Sequence, residues 1–181
     1  HDRRHPDQAV FPDHREVLTD ADKQSIHQQY SRGTSISQLT RQYGRTRSSI
    51  VRVLNEQRAA GIMQLALDFI PNETFNKVSP KLEAEILGDV PEAVIPPRKL
   101  RPPTGLPTYL AALYDVQLLT REQEYHLFRK MNYLKFRASK LRAKLDPTEP
   151  TASLMDEIER LYQQSVEVKN HIVQANLRLV V

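Results

Sequence analysis

From Thr19 onward, apolar residues recur at helical spacing and glycines divide them into three short segments. The first is capped by Thr19 or Asp20 and ends at Gly33. The second, about Ser35 to Tyr43, puts Ile36, Leu39 and Tyr43 on one side, and Gly44 supplies a tight turn after it. The third, about Thr46 to Ala60, turns Ile50, Val53 and Leu54 inward, and Gly61 is expected to close it in a left-handed conformation. Ile62 to Ile70 is apolar enough to pack on these helices, Asn72 to Lys77 reads as loop, and Lys81 to Leu87 as a short acidic helix.

The longest periodic stretch lies near the C-terminus. Thr120 with Gln123 forms a capping box, and Leu127, Met131, Leu134, Ala138, Leu141 and Leu145 follow at alternating spacings of four and three. Asp146 and Pro147 stop this helix. A second helix from about Ser153 repeats the alternation through Leu154, Ile158, Leu161, Ser165, Val168, Ile172, Ala175 and Leu179. Two such stripes joined by a short loop predict an antiparallel helical hairpin.

Between these regions stand six prolines, at 91, 96, 97, 102, 103 and 107, interleaved with Arg98, Lys99 and Arg101. Proline fixes φ and removes a backbone donor, so this stretch is expected to be an extended linker. The predicted architecture is therefore all-α. A flexible terminus covers 1–18, a three-helix helix-turn-helix module 19–88, a Pro-rich linker 89–107, and a helical hairpin 108–181.

Charge gives this plan a direction. Across 181 residues, 26 Lys and Arg exceed 22 Asp and Glu, for a formal charge of +4. The resulting pI near 9.4 suits a polyanionic partner. A helix, a glycine turn and a second helix is the arrangement that lays its second helix in the DNA major groove. Arg45, Thr46, Arg47, Ser48, Ser49 and Arg52 stand at the start and on the outer side of that helix. They offer guanidinium forks to guanine edges or phosphates, and hydroxyls to the backbone. Thr40 and Arg45 stand where such modules usually carry apolar residues. The first hairpin helix is basic away from its stripe, through Arg129, Lys130, Lys135, Arg137, Lys140, Arg142 and Lys144.

Other chemistries lack candidates. The chain has no Cys, which excludes disulfides and thiolate metal sites. No window approaches the roughly 20 apolar residues of a membrane span. A glycine-rich phosphate loop, a nucleophile elbow and a His-Glu metal motif are all missing from the sequence. Glu83 and Glu85, two apart on a helix, point in different directions and make a poor catalytic pair. His126 and His171 stand singly without visible partners. The expectation is a cytoplasmic protein that is not an enzyme and uses no cofactor, metal, membrane or small-molecule substrate. The chain starts at His1 and stops within the apolar run Leu177 to Val181, as expected of a fragment.

Two stretches carry a family resemblance. Tyr109-Leu110-Ala111-Ala112-Leu113, followed by Leu118-Leu119-Thr120-Arg121-Glu122-Gln123-Glu124, looks like region 1.2 of bacterial housekeeping-type RNA polymerase sigma factors. Ala175-Asn176-Leu177-Arg178-Leu179-Val180-Val181 looks like the start of region 2, the core-binding helix that follows. The likeness covers about the last 75 residues. With an added N-terminal helix-turn-helix, the whole resembles planctomycete sigma factors. It implies promoter DNA and core RNA polymerase as partners, and transcription initiation as the function. It further implies that the segment around Tyr109 and Leu110 holds the unpaired nontemplate strand near the discriminator, with Arg129 and Lys130 as weaker backbone contacts. An aromatic face stacking an unpaired base contributes about 1–3 kcal/mol. Ala111 stands where the family often has a basic residue. The alternative is a helix-turn-helix transcriptional regulator that dimerises through its C-terminal helices.

Overall fold

The structure, a computed structural model, describes residues 17–92, 104–105, 107–108 and 118–177. The described residues are all-helical and contain no strand. Helix α1 is Asp20–Ser31, α2 Ile36–Tyr43 and α3 Arg47–Met63; a 3-10 turn follows at Glu73–Lys77. Then come α4 (Pro80–Leu87), α5 (Arg121–Arg142) and α6 (Ala152–Asn176). Two compact units emerge. One ends at Leu65 and takes in Leu145–Met155; the other begins at Ala66, runs to Lys144 and resumes at Asp156.

In the first unit, local hydrogen bonding fixes where helices begin. Thr19 Oγ1 accepts from the Asp22 amide at 3.2 Å, while Asp22 Oδ2 accepts from the Thr19 amide at 3.0 Å. Ser35 and Gln38 repeat this reciprocal cap at the start of α2, at 3.3 and 3.0 Å. Each box satisfies amides that the first helical turn leaves without partners. The three helices then close on Ile26, Leu39, Ile50, Val53 and Leu54, with Leu18, Ile36 and Tyr43 packed around them. All but Ile26 and Leu18 are the inward residues the periodicity selects in the second and third segments. Tyr43 adds a polar tie: its hydroxyl donates to Ser25 Oγ at 2.9 Å and accepts from Gln29 Nε2 at 3.0 Å, fastening α2 to α1.

Gly61 does not end the third helix. Left-handed glycines among the described residues are Gly33, Gly44 and Gly105, and α3 passes through Gly61 to Met63. Ile62 beyond it is only 2% exposed. Burying a side chain of that size contributes about 1.5–3 kcal/mol, more than the roughly 1 kcal/mol that a helical glycine costs.

Residues 66–88 also depart from expectation. They group with α5, not with the three helices of the expected 19–88 module. Phe69, Phe75, Val78, Leu82, Ile86 and Leu87 pack with Tyr133 and Phe136 of α5. The rings meet edge-on or tilted: Phe75 lies 5.3 Å from Tyr133 and 5.5 Å from Phe136, and Phe69 lies 5.5 Å from Phe136. The expected loop at 72–77 is mostly a 3-10 turn, capped by Asn72 Oδ1 accepting from the Thr74 amide at 2.9 Å. It inserts Phe75 into this cluster.

The stripes of the long helices are buried in part: Met131, Leu141, Leu154 and Val168 are half-buried, and Leu179 lies outside the described residues. Leu127, Leu134 and Ala138 of α5 are buried, as are Ile158, Leu161, Ser165, Ile172 and Ala175 of α6. Thr120 and Gln123 form the expected box, at 3.2 and 3.0 Å. Ser165, an odd member of an apolar stripe, satisfies its hydroxyl by donating to Tyr162 O at 2.7 Å.

Candidate nucleic-acid interface

The turn between α2 and α3 is set by Gly44, at φ 61° and ψ 34°. An L-residue in this left-handed region costs about 1–2 kcal/mol, so glycine suits the position. Its amide donates to Thr40 O, and the Arg45 amide donates to the same oxygen at 3.1 Å. Thr40, the unexpected polar residue of α2, keeps its hydroxyl inside its own helix by donating to Ser37 O at 2.8 Å.

Beyond the turn the predicted residues separate by role. Thr46 caps α3: its Oγ1 accepts from the Ser49 amide at 3.2 Å and lies 3.1 Å from Ser48 Oγ. Arg45 is half-buried, and its charge is felt at Asp22. The Asp22 carboxyl is held below its ordinary value chiefly by the Thr19 hydroxyl, then by the Thr19 amide, with Arg45 a smaller cause. Arg47, Ser48 and Arg52 face solvent, Arg52 with 72% of its side chain exposed. The first turn of α3 contains no acidic residue, so the partial positive charge of its end is uncompensated from within. A helix start of this kind, flanked by exposed guanidinium groups, is suited to phosphate oxygens.

Arg41 and Gln42, at the end of α2, are also exposed beside this turn. They escaped the sequence reading, although the inward positions Leu39 and Tyr43 already imply that 41, about half a turn from both, points away from the core.

In the second unit, the basic face of α5 serves a different purpose. Arg129 Nη1 lies 3.3 Å from Glu85 Oε1, and Arg137 pairs with Glu83. Lys130 Nζ donates to Gly88 O at 3.0 Å, Lys135 Nζ to Asp68 O at 3.2 Å, and Lys140 Nζ to Asn76 Oδ1 at 2.9 Å. Five of the six basic residues named on this helix, which ends short of Lys144, thus bind the 66–88 segment to α5. Arg129 and Lys130, expected as weaker backbone contacts, each direct one donor to α4 or to its C-terminal end. Glu83 and Glu85 do diverge, and each takes its own arginine. His126, read as partnerless, places Nε2 3.2 Å from Gly88 O.

Tyr109 and Leu110 lie outside the described residues, as do Arg98, Lys99 and Arg101 of the linker and Arg178 to Val181. Among the described residues no group of three or more His, Asp or Glu side chains could hold a metal ion. No described helix is long and apolar enough to cross a membrane. Comparison with protein-family models, curated proteins and solved structures finds no match to this chain.

Proposed function

We propose that the chain works in transcription initiation as part of a sigma-type specificity subunit, and that its first unit binds duplex DNA through α3. The observation that carries the DNA reading is the exposure of Arg47, Ser48 and Arg52 along a helix whose start is fixed by the Gly44 turn and the Thr46 cap. A side chain must be held by its scaffold and still reach outward to read a groove, and these three meet both conditions. Core RNA polymerase and the unpaired nontemplate strand enter the proposal through the resemblance at Tyr109 to Glu124 and Ala175 to Val181. Catalysis of nucleotide addition belongs, on this reading, to the polymerase.

The test has two arms. In the first, Arg47→Gln with Arg52→Gln is compared with the unaltered chain for binding to labelled duplex DNA across a range of salt. Each lost phosphate contact lowers the slope of log affinity against log salt by about 0.9, so the double variant should lose up to about two such steps. Absence of duplex binding by the unaltered chain at low salt overturns the DNA reading. In the second arm, core polymerase and fork-junction DNA are titrated with the chain and with Tyr109→Ala. Weaker retention of the fork by the variant is the expected result. Self-association of the chain without any effect on polymerase would instead favour the dimeric regulator.

A further inference from the structure

Glu56 lies on α3 one turn beyond Arg52 and holds two cations with separate oxygens. Oε1 is 3.6 Å from Arg52 Nε, and Oε2 is 3.3 Å from Lys23 Nζ on α1. The two contacts differ in character. Lys23 and Glu56 are 28% and 26% exposed, whereas Arg52 is 72% exposed and too far from the carboxylate for a good hydrogen bond. Glu56 is therefore anchored to α1 through Lys23, and Arg52 is only loosely tethered to Glu56.

We infer that Glu56 is a positioning residue that restrains Arg52 and makes its engagement of DNA conditional. This rests on the reading of α3 as a duplex-binding helix. For Arg52 to reach a phosphate or a guanine edge, it must leave a carboxylate that Lys23 keeps in place. The carboxylate thus competes with the phosphate or base for the same guanidinium, and it acts on binding through Arg52. A bidentate contact to a correct base, at about 1–3 kcal/mol of discrimination, outweighs the loss of an exposed ion pair; a stray phosphate contact is offset by it. Glu56 thus suppresses indiscriminate binding more than it suppresses binding to a matching site.

The experiment measures fluorescence anisotropy of a short labelled duplex of mixed sequence with the full chain and with Glu56→Gln, Arg52→Gln and the double variant, across salt concentrations. Circular dichroism of each variant is compared with the unaltered chain. Glu56→Gln should bind the mixed duplex about two- to fivefold more tightly, the range set by the size of exposed ion pairs. Its salt slope should steepen by about 0.9, the signature of one further phosphate contact. In the Arg52→Gln background that gain should vanish. A gain that persists undiminished there would mean a general charge effect and overturns the inference. So does an affinity for Glu56→Gln equal to or below that of the unaltered chain. If the unaltered chain binds no duplex even at low salt, the DNA reading itself falls and the inference with it, an outcome distinct from binding that ignores Glu56.

Discussion

Asn132 Oδ1 accepts a hydrogen bond from the Ile70 amide at 2.8 Å, across 62 residues of sequence. Asn132 is a buried polar residue on α5, and its Nδ2 donates to Phe128 O at 2.8 Å within the same helix. Both ends of the amide are thus satisfied, and the bond from Ile70 fastens the segment before the 3-10 turn onto α5. Asn132→Ala removes the acceptor and leaves a gap, at a cost of about 1–3 kcal/mol. Urea unfolding should show a lower midpoint at unchanged slope. An unaltered midpoint would mean that water replaces the side chain without loss.

The same region bears on alkaline stability. Burial raises the Tyr133 phenol above its ordinary value of 10.0, and the nearby Glu83 charge raises it further. A group whose folded pKa is raised stabilises fully below the unfolded value, and that contribution is lost as pH rises through the folded one. The chain should therefore lose stability above about pH 10. Tyr133→Phe keeps the ring packing and removes the ionisation, so its stability should fall less steeply over that range. Thermal unfolding on a series of alkaline buffers compares the two slopes, and identical slopes would remove Tyr133 from the account.

On the acid side the sign reverses. Asp22 is held below its ordinary 3.8, first by the Thr19 hydroxyl and next by the Thr19 amide, and Asp146 is held down in the same way by Thr148. A depressed carboxyl stabilises above the unfolded pKa, and the contribution disappears as pH falls through the folded value. Loss should begin just below 3.8. Asp22→Asn retains an oxygen acceptor for the cap but no longer titrates. Its unfolding midpoint should depend less on pH below that point, as read by far-ultraviolet circular dichroism in an acid series.

How much of this was legible in advance follows from the range of the interactions. Capping boxes, the left-handed turn at Gly44 and the two long stripes are local patterns, and Thr19, Ser35, Thr120 and Ile158 sit where spacing puts them. Tyr133 and Phe136 are different. They lie off the stripe of α5, and only the approach of Phe69 and Phe75 from more than fifty residues away reveals a second buried face. Periodicity reports one face well and gives no address for a partner that arrives through the fold. The partners of the basic residues of α5 are hidden from the sequence for the same reason. Arg129 and Lys130 look solvated in sequence because Glu85 and Gly88 are distant in the chain. Arg47, Ser48 and Arg52 were read correctly as outward because their own helix period decides it.

Gly44 supplies the sharpest link between backbone and interface. At φ 61° it lies where alanine is strained and asparagine is better tolerated, because a short polar side chain can bond locally. Gly44→Ala should lower stability by about 1–2 kcal/mol, and Gly44→Asn by less. The difference should carry into function if the turn aims α3. Any shift away from φ 61° moves the Thr46 cap and re-aims Arg47 and Ser48 relative to Arg41 and Gln42 on α2. Duplex binding by Gly44→Ala should therefore fall even at a temperature where circular dichroism shows it fully folded, with Gly44→Asn recovering most of the affinity. Equal affinities for folded Gly44→Ala and the unaltered chain would show that the exposed arginines act as a diffuse charge, independent of the angle at which α3 leaves the turn.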